Sequence, residues 1–266
     1  MKNRFLAILI MFLGLAVSCS KDSGDEGTNP VNIDKTANLK TTGDSANEIL
    51  SNATFDRLQI EIAYVAGFSP TSTSMTDFVA FLKQHSFKQD IELIYKELPS
   101  PNEEKLTLDE IFDLEKKNRT VYNDGSTLAI YIYFADAPSE DDKEEEELVT
   151  LGAVYLNTSM VIYEETIRTL ARKSNLVSVG DVETATLNHE FGHLLGLVDL
   201  GSLSVNDHED VDAENHCNVE GCLMRAELQF GAGMKKMLEN RASKGIADAP
   251  GLGLECILDL QANGGR

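Results

Sequence analysis

Basic residues are scarce: the 266-residue chain has 23 Lys and Arg against 44 Asp and Glu, a formal net charge of −21. With no basic stripe to offset it, that field repels polyanions and argues against nucleic acid as a partner. Cysteine is scarce as well, and four residues are too few for a disulfide-built scaffold. Tryptophan is absent, and no apolar run reaches the roughly 20 residues of a membrane-spanning helix. What is present is ordinary for a globular protein. The 42% apolar and 25% charged residues argue against wholesale disorder, and the length suits one domain with a tail.

The tail is N-terminal. Lys2 and Arg4 precede an apolar core over 5–17, followed by Leu15-Ala16-Val17-Ser18-Cys19. This resembles a bacterial lipoprotein signal, cut before a cysteine that is then acylated, although Ala16 stands where that pattern prefers Leu. An ordinary secretory signal with Cys19 near its cut is the alternative. Ser20-Lys21-Asp22-Ser23-Gly24-Asp25-Glu26 is similar to the export tag of Bacteroidetes surface lipoproteins. The resemblance implies an outer-membrane lipoprotein exposed at the cell surface and lipidated on Cys19. Residues 1–18 are then a signal peptide. Residues 19–52, polar and without apolar periodicity, read as a flexible tether, and 53–266 as the domain.

Periodicity begins near Phe55. Leu58, Ile60, Ile62 and Tyr64 alternate with Gln59, Glu61 and Ala63, predicting a half-buried strand. Ile91, Leu93 and Tyr95 predict a second strand, the β-branched and aromatic run 128–134 a central one, and 149–156 a fourth. Met75, Phe78, Val79 and Leu82 fall at helical spacing within 73–86, as do Leu108, Ile111, Phe112 and Glu115 within 106–117. Residues 159–173 read as a helix, and 181–195 as a strong one with an acid at its N-terminus. The stretch 196–224 reads as loop, with weaker helices beyond, and the acidic run 140–147 as a solvated loop. The order predicts an α+β domain with its last long helix behind the sheet.

The chemistry concentrates in Leu187-Asn188-His189-Glu190-Phe191-Gly192-His193-Leu194-Leu195-Gly196, and four of the five His fall between 189 and 216. On a helix, residues four apart lie about 40° from eclipse, so His189 and His193 share a face. Two imidazoles can then reach one zinc ion at about 2.0–2.1 Å each. Glu190, beside the first ligand, can face the attacking water and take its proton. Gly196 can adopt the left-handed turn that ends the helix.

This stretch resembles the metzincin zinc metalloproteases, whose pattern His-Glu-x-x-His-x-x-Gly-x-x-His/Asp matches His189, Glu190, His193, Gly196 and Asp199. His216-Cys217-Asn218-Val219-Glu220-Gly221-Cys222-Leu223-Met224 resembles the His-Cys-x4-Cys-x-Met segment of archaemetzincins, with about seventeen extra residues before it. The resemblance implies a twisted mixed sheet, an active-site helix, a zinc loop and a Met-turn at Met224. It also implies an edge strand, here 151–156, that lies antiparallel to a peptide substrate. His216 is the first choice for third zinc ligand, Asp199 the alternative, and His208 lies between them without a motif. If His216 is the ligand, Asp199 would instead orient a ligand His or hold the turn after Gly196. The tyrosine two residues after the Met in some metzincins is replaced by Ala226.

Cys217 and Cys222 are expected to form a disulfide. The rival is a second metal site, which archaemetzincins build with a later Cys-x-x-Cys; here only Cys256 and Asp259 stand at that spacing. Residues 206–214 are rich in hard oxygen ligands and could hold Ca²⁺, though without the glycine of an EF-hand loop. Together these features predict a membrane-anchored zinc endopeptidase cleaving a protein or peptide substrate. The alternative is a non-catalytic surface binding module with a structural zinc.

Overall fold

A computed structural model describes residues 34–143, 148–246 and 248–266. The signal peptide, Cys19, the first part of the tether and the acids at 144–147 lie outside the described residues.

Five strands form the main sheet in the order β2-β1-β3-β5-β4. They are β1 (Arg57–Val65), β2 (Asp90–Leu98), β3 (Thr127–Phe134), β4 (Gly152–Leu156) and β5 (Ser159–Ile162). Of the four pairs of neighbours along this order, the first three run parallel and the last, β4 with β5 at the edge, antiparallel. The sheet is therefore mixed but mostly parallel. β3 sits at its centre with both faces buried. Leu128, Ile130 and Ile132 join one core and Tyr131 and Tyr133 the other.

The two faces are covered differently. α2 (Ser72–His85) and α5 (Val179–Leu194) pack on the face of Leu58, Ile60 and Ile62, and α3 (Leu108–Asn118) covers the opposite face. Ser178 and Asp181 form a capping box at the start of α5, as Thr107 and Glu110 do for α3. Each closes two backbone donors that the first turn leaves open. Phe78 of α2 meets Phe191 edge-on at 5.2 Å between ring centres, a contact that fixes α5 against α2 from within the His-Glu motif. α1 (Ala46–Leu50) and α4 (Glu164–Ala171) complete the N-terminal part, and α6 (Gly231–Ser243) and α7 (Leu254–Ala262) the C-terminal part. Among the described residues no helix is long and apolar enough to cross a membrane.

Three expectations need correction. Residues 34–52, assigned to the tether, belong to the folded body: Ile49 and Leu50 are in the core. Asn38 is buried, its amide donating to Asn123 Oδ1, the Ala129 carbonyl and Thr158 Oγ1. A polar side chain that satisfies buried backbone groups leaves no apolar signature. Residues 159–162 form β5 rather than the first turn of a helix, and α4 starts only at Glu164. A short, wholly apolar stretch has no period that separates strand from helix. Finally, 196–224 is not all loop, because β6 (Glu209–Asp210) and β7 (Ala213–Cys217) pair antiparallel within it.

Candidate active site

α5 delivers the first two imidazoles and ends immediately after them. Gly196 has φ +75°, and a Cβ there would lie 2.5 Å from Ser202 Oγ, so the turn after the helix requires glycine. The chain then makes an excursion through Val198 and Asp199, both at positive φ, and returns along β7 with His216. The three histidines offer ligand nitrogens that all lie within 4.8 Å of one another.

The tautomers of two of them are set by backbone carbonyls. His189 Nδ1 donates to Leu223 O at 2.8 Å and His216 Nδ1 to Glu214 O at 2.9 Å. Each Nε2 is thereby left with a lone pair, buried and without a protein partner; His193 Nδ1 also lacks one. Burial holds His189 down at about 4, and His193 and His216 below the usual imidazole range. Three neutral imidazoles with unpartnered nitrogens around one point fit the donor set of a catalytic zinc.

Asp199 is not among them. It is exposed, and its Oδ1 accepts from Ser204 N at 2.7 Å, which makes it the residue that holds the turn. Met224 lies beneath the helix: a Cβ on Gly192 would come within 2.3 Å of its Sδ. The Met224 carbonyl accepts from Cys217 N at 2.7 Å, which ties the Met-turn to the strand bearing His216.

Glu190 points the other way, under the edge strand. A Cβ on Gly152 would be 2.7 Å from Glu190 Cγ. Burial pushes the Glu190 carboxyl up to about 8, and its Oε1 has no protein partner. A cleft of about 630 Å³ runs between β4 and the helix, with Ala153, Val154, Tyr163, Glu190, His193 and His216 among its walls. The importance of Gly152 and of the Leu223 carbonyl could not be read from the sequence, since neither carries a chemical signature of its own.

The cysteines depart from expectation. Cys217, Cys222 and Cys256 are free and buried. Cys217 faces His208 at 3.3 Å, and Cys222 faces Cys256 at 3.6 Å. The structure therefore contains no Cys217–Cys222 disulfide. In the proposed calcium loop, Glu209 accepts from Asn215 N and Asp210 from Asp212 N, and Asn206 donates to Glu255. Among the described residues no grouping of close metal-ligand atoms draws on the carboxylates of this loop.

Sheet, zinc-type helix and Met-turn stand in the relation that makes this a metzincin-like metalloprotease fold. Among solved structures, the chain is similar to an archaemetzincin from Methanopyrus kandleri. The TM-score is 0.50 at 14% identity, over 78% of this chain and 96% of that one. It is also similar to metalloproteinase-II of Bacteroides fragilis, with a TM-score of 0.43 at 14% identity, over 89% of this chain and 59% of that one. No family model and no curated protein sequence matches the chain. The likeness to the archaemetzincin is one of fold.

Proposed function

We propose that the protein is a zinc-dependent endopeptidase, anchored to the outer membrane through a lipid on Cys19 and acting on proteins outside the cell. The observation that carries the catalytic reading is Glu190, a buried carboxyl with a free oxygen, facing a cleft beside three neutral imidazoles. A purely structural metal has no use for such a group.

His189, His193 and His216 would hold the zinc, which when bound polarises the scissile carbonyl and acidifies the attacking water. Glu190 takes a proton from that water and returns it to the leaving amine. The β4 edge offers its free main-chain groups to an extended peptide, aligning the scissile bond along the cleft. Ala153 and Val154 of β4 and Tyr163 just after β5 line that path.

Glu190→Ala is expected to lower peptide hydrolysis by roughly 10²–10⁴-fold while its zinc content stays that of wild type. Hydrolysis of a denatured protein, with and without a chelator, measures it. Undiminished turnover in the variant would remove Glu190 from the mechanism. A wild type with no chelator-sensitive turnover would favour a binding module instead. The anchor rests on the sequence around Cys19. Cys19→Ala should shift the protein from membrane to soluble fraction with its peptidase activity intact, and a wholly soluble wild type would defeat the anchor.

A further inference from the structure

The stretch of chain that carries the three imidazoles is one-sided in charge. Between Lys173 and Arg225 it holds no Lys or Arg, while ten Asp and Glu fall in the same stretch. Two carboxylates stand on the cleft that contains Glu190. Glu214 lies on β7, two residues before His216, and Asp141 lies on the segment between β3 and β4. Both residues are exposed. Among the described residues neither carboxylate takes part in an ion pair or accepts a hydrogen bond.

The two acids come from different walls, one beside Tyr163 and the other beside His216. Burial, and then the charges of Asp142, Asp141 and Glu190 acting against a hydrogen bond with Ser139, push the Tyr163 hydroxyl up to about 12. Asp141 therefore stands near enough to the Glu190 carboxyl for both to act on one hydroxyl. Lys143 is the one cation among the described walls. That the cleft takes a ligand is marked independently by Glu190, which is 2% exposed with its Oε1 unpartnered. A cleft walled mainly by one sign of charge focuses its field and concentrates ligands of the opposite sign. An ammonium or guanidinium would also give each unpaired carboxylate the charge-assisted bond it lacks.

We infer, resting on the endopeptidase reading above, that the substrate is a basic segment of protein, cut where Arg or Lys flanks the scissile bond, and that Asp141 and Glu214 select it. An extended peptide paired with β4 sends successive side chains to opposite faces, so carboxylates on two walls can each take one. A long basic side chain lays its apolar stem along the cleft and keeps its charged head at the exposed rim, where both acids stand. The planar fork of Arg matches a carboxylate with two bonds, which ranks Arg above Lys. Acidic segments meet like charge and are turned away.

The test uses the zinc-loaded full chain. Cut sites in a denatured protein are mapped by mass spectrometry, and matched peptides with Arg, Gln or Glu beside the cut are then compared. The Arg peptide should exceed the Gln peptide in kcat/KM by at least about tenfold, with the Glu peptide slowest and the advantage shrinking as salt approaches about 1 M. Asp141→Asn and Glu214→Gln should each lower the Arg-to-Gln ratio by about two- to fivefold, and Glu214→Lys should turn the preference towards Glu. Asp77→Asn, an exposed acid on α2 outside the cleft, should keep the ratio. Equal kcat/KM for the three peptides, with hydrolysis still chelator-sensitive, would overturn the inference and leave the endopeptidase reading standing. A ratio that falls as far in Asp77→Asn as in Asp141→Asn would overturn the assignment to the cleft acids. Absence of chelator-sensitive hydrolysis would instead defeat the endopeptidase reading. Binding to the Glu190→Ala protein then decides the inference: a labelled Arg peptide should bind more tightly than its Gln counterpart, and equal binding would overturn it.

Discussion

The third imidazole shows how much one residue can depend on chain path. Asp199 has the metzincin spacing and His216 the archaemetzincin neighbours, and spacing alone cannot choose between them. Lengthening a surface loop costs only about 0.6 kcal/mol per doubling, so an insertion can carry a ligand far from its usual place in the sequence. In space His216 joins His189 and His193, and Asp199 caps Ser204. On the proposed ligand set, His216→Ala should weaken metal binding at the histidine cluster by more than the 10–100-fold typical of a supporting contact, while Asp199→Ala leaves it nearly unchanged. Chelator competition measures both. Loss of metal in the Asp199 variant alone would reverse the assignment.

At the scale of elements, β4 and α5 are fitted to each other at one point. Glu190 lies against the backbone of Gly152, and a Cβ there would also come within 3.1 Å of Thr186 Cγ2 on the same helix. Neither α5, buried on nearly every side, nor the sheet edge can retreat without cost. Gly152→Ala should displace the Glu190 carboxylate and leave the imidazoles alone. A misplacement of about 1 Å in a reacting group can cost on the order of 10²-fold in rate. The expected outcome is a fall in kcat of at least about tenfold with zinc content unchanged; an unaltered kcat would mean that Glu190 is not held by the strand. Both elements are foreseen in the sequence, β4 by its apolar run and α5 by its cap and motif. Their contact is not, because a glycine gives no hint of what it makes room for.

At the scale of the whole molecule, a buried acid pair links α4 to α5. Glu164 of α4 and Glu183 of α5 are fully buried, and Glu164 Oε2 and Glu183 Oε1 each lack a partner among charged or hydrogen-bearing groups. A single proton on Glu164, donated to Glu183, satisfies both. Arg168 Nε donates to the other Glu164 oxygen, and Thr71 N, Thr71 Oγ1 and Ser74 Oγ donate to Glu183 Oε2. Desolvation, and then the Glu183 charge, push Glu164 up to about 9 from its ordinary 4.5. The folded protein thus keeps a proton that the unfolded chain loses. The stabilisation is complete below about 4.5 and is lost as pH rises towards 9, with a slope of at most about 1.4 kcal/mol per pH unit. Urea midpoints measured from pH 5 to 9 should fall more steeply for wild type than for Glu164→Gln. Equal slopes would show that no proton is shared.

By itself the sequence determined the strands and helices whose apolar residues recur with a clear period, the capped helix that carries His189, Glu190 and His193, and Met224 as part of their support. Those features are local, since a period, a cap or an i,i+4 pair is written within a dozen residues. Tertiary structure decided what depends on distant segments meeting. It placed Asn38 and Leu50 inside the body, made β5 a strand by pairing it with β3 and β4, and brought His216, not Asp199, beside His189 and His193. It also left the expected disulfide partners as free thiols, beside His208 and Cys256. Each of these outcomes depends on a partner far along the chain, and the side chain alone does not name that partner.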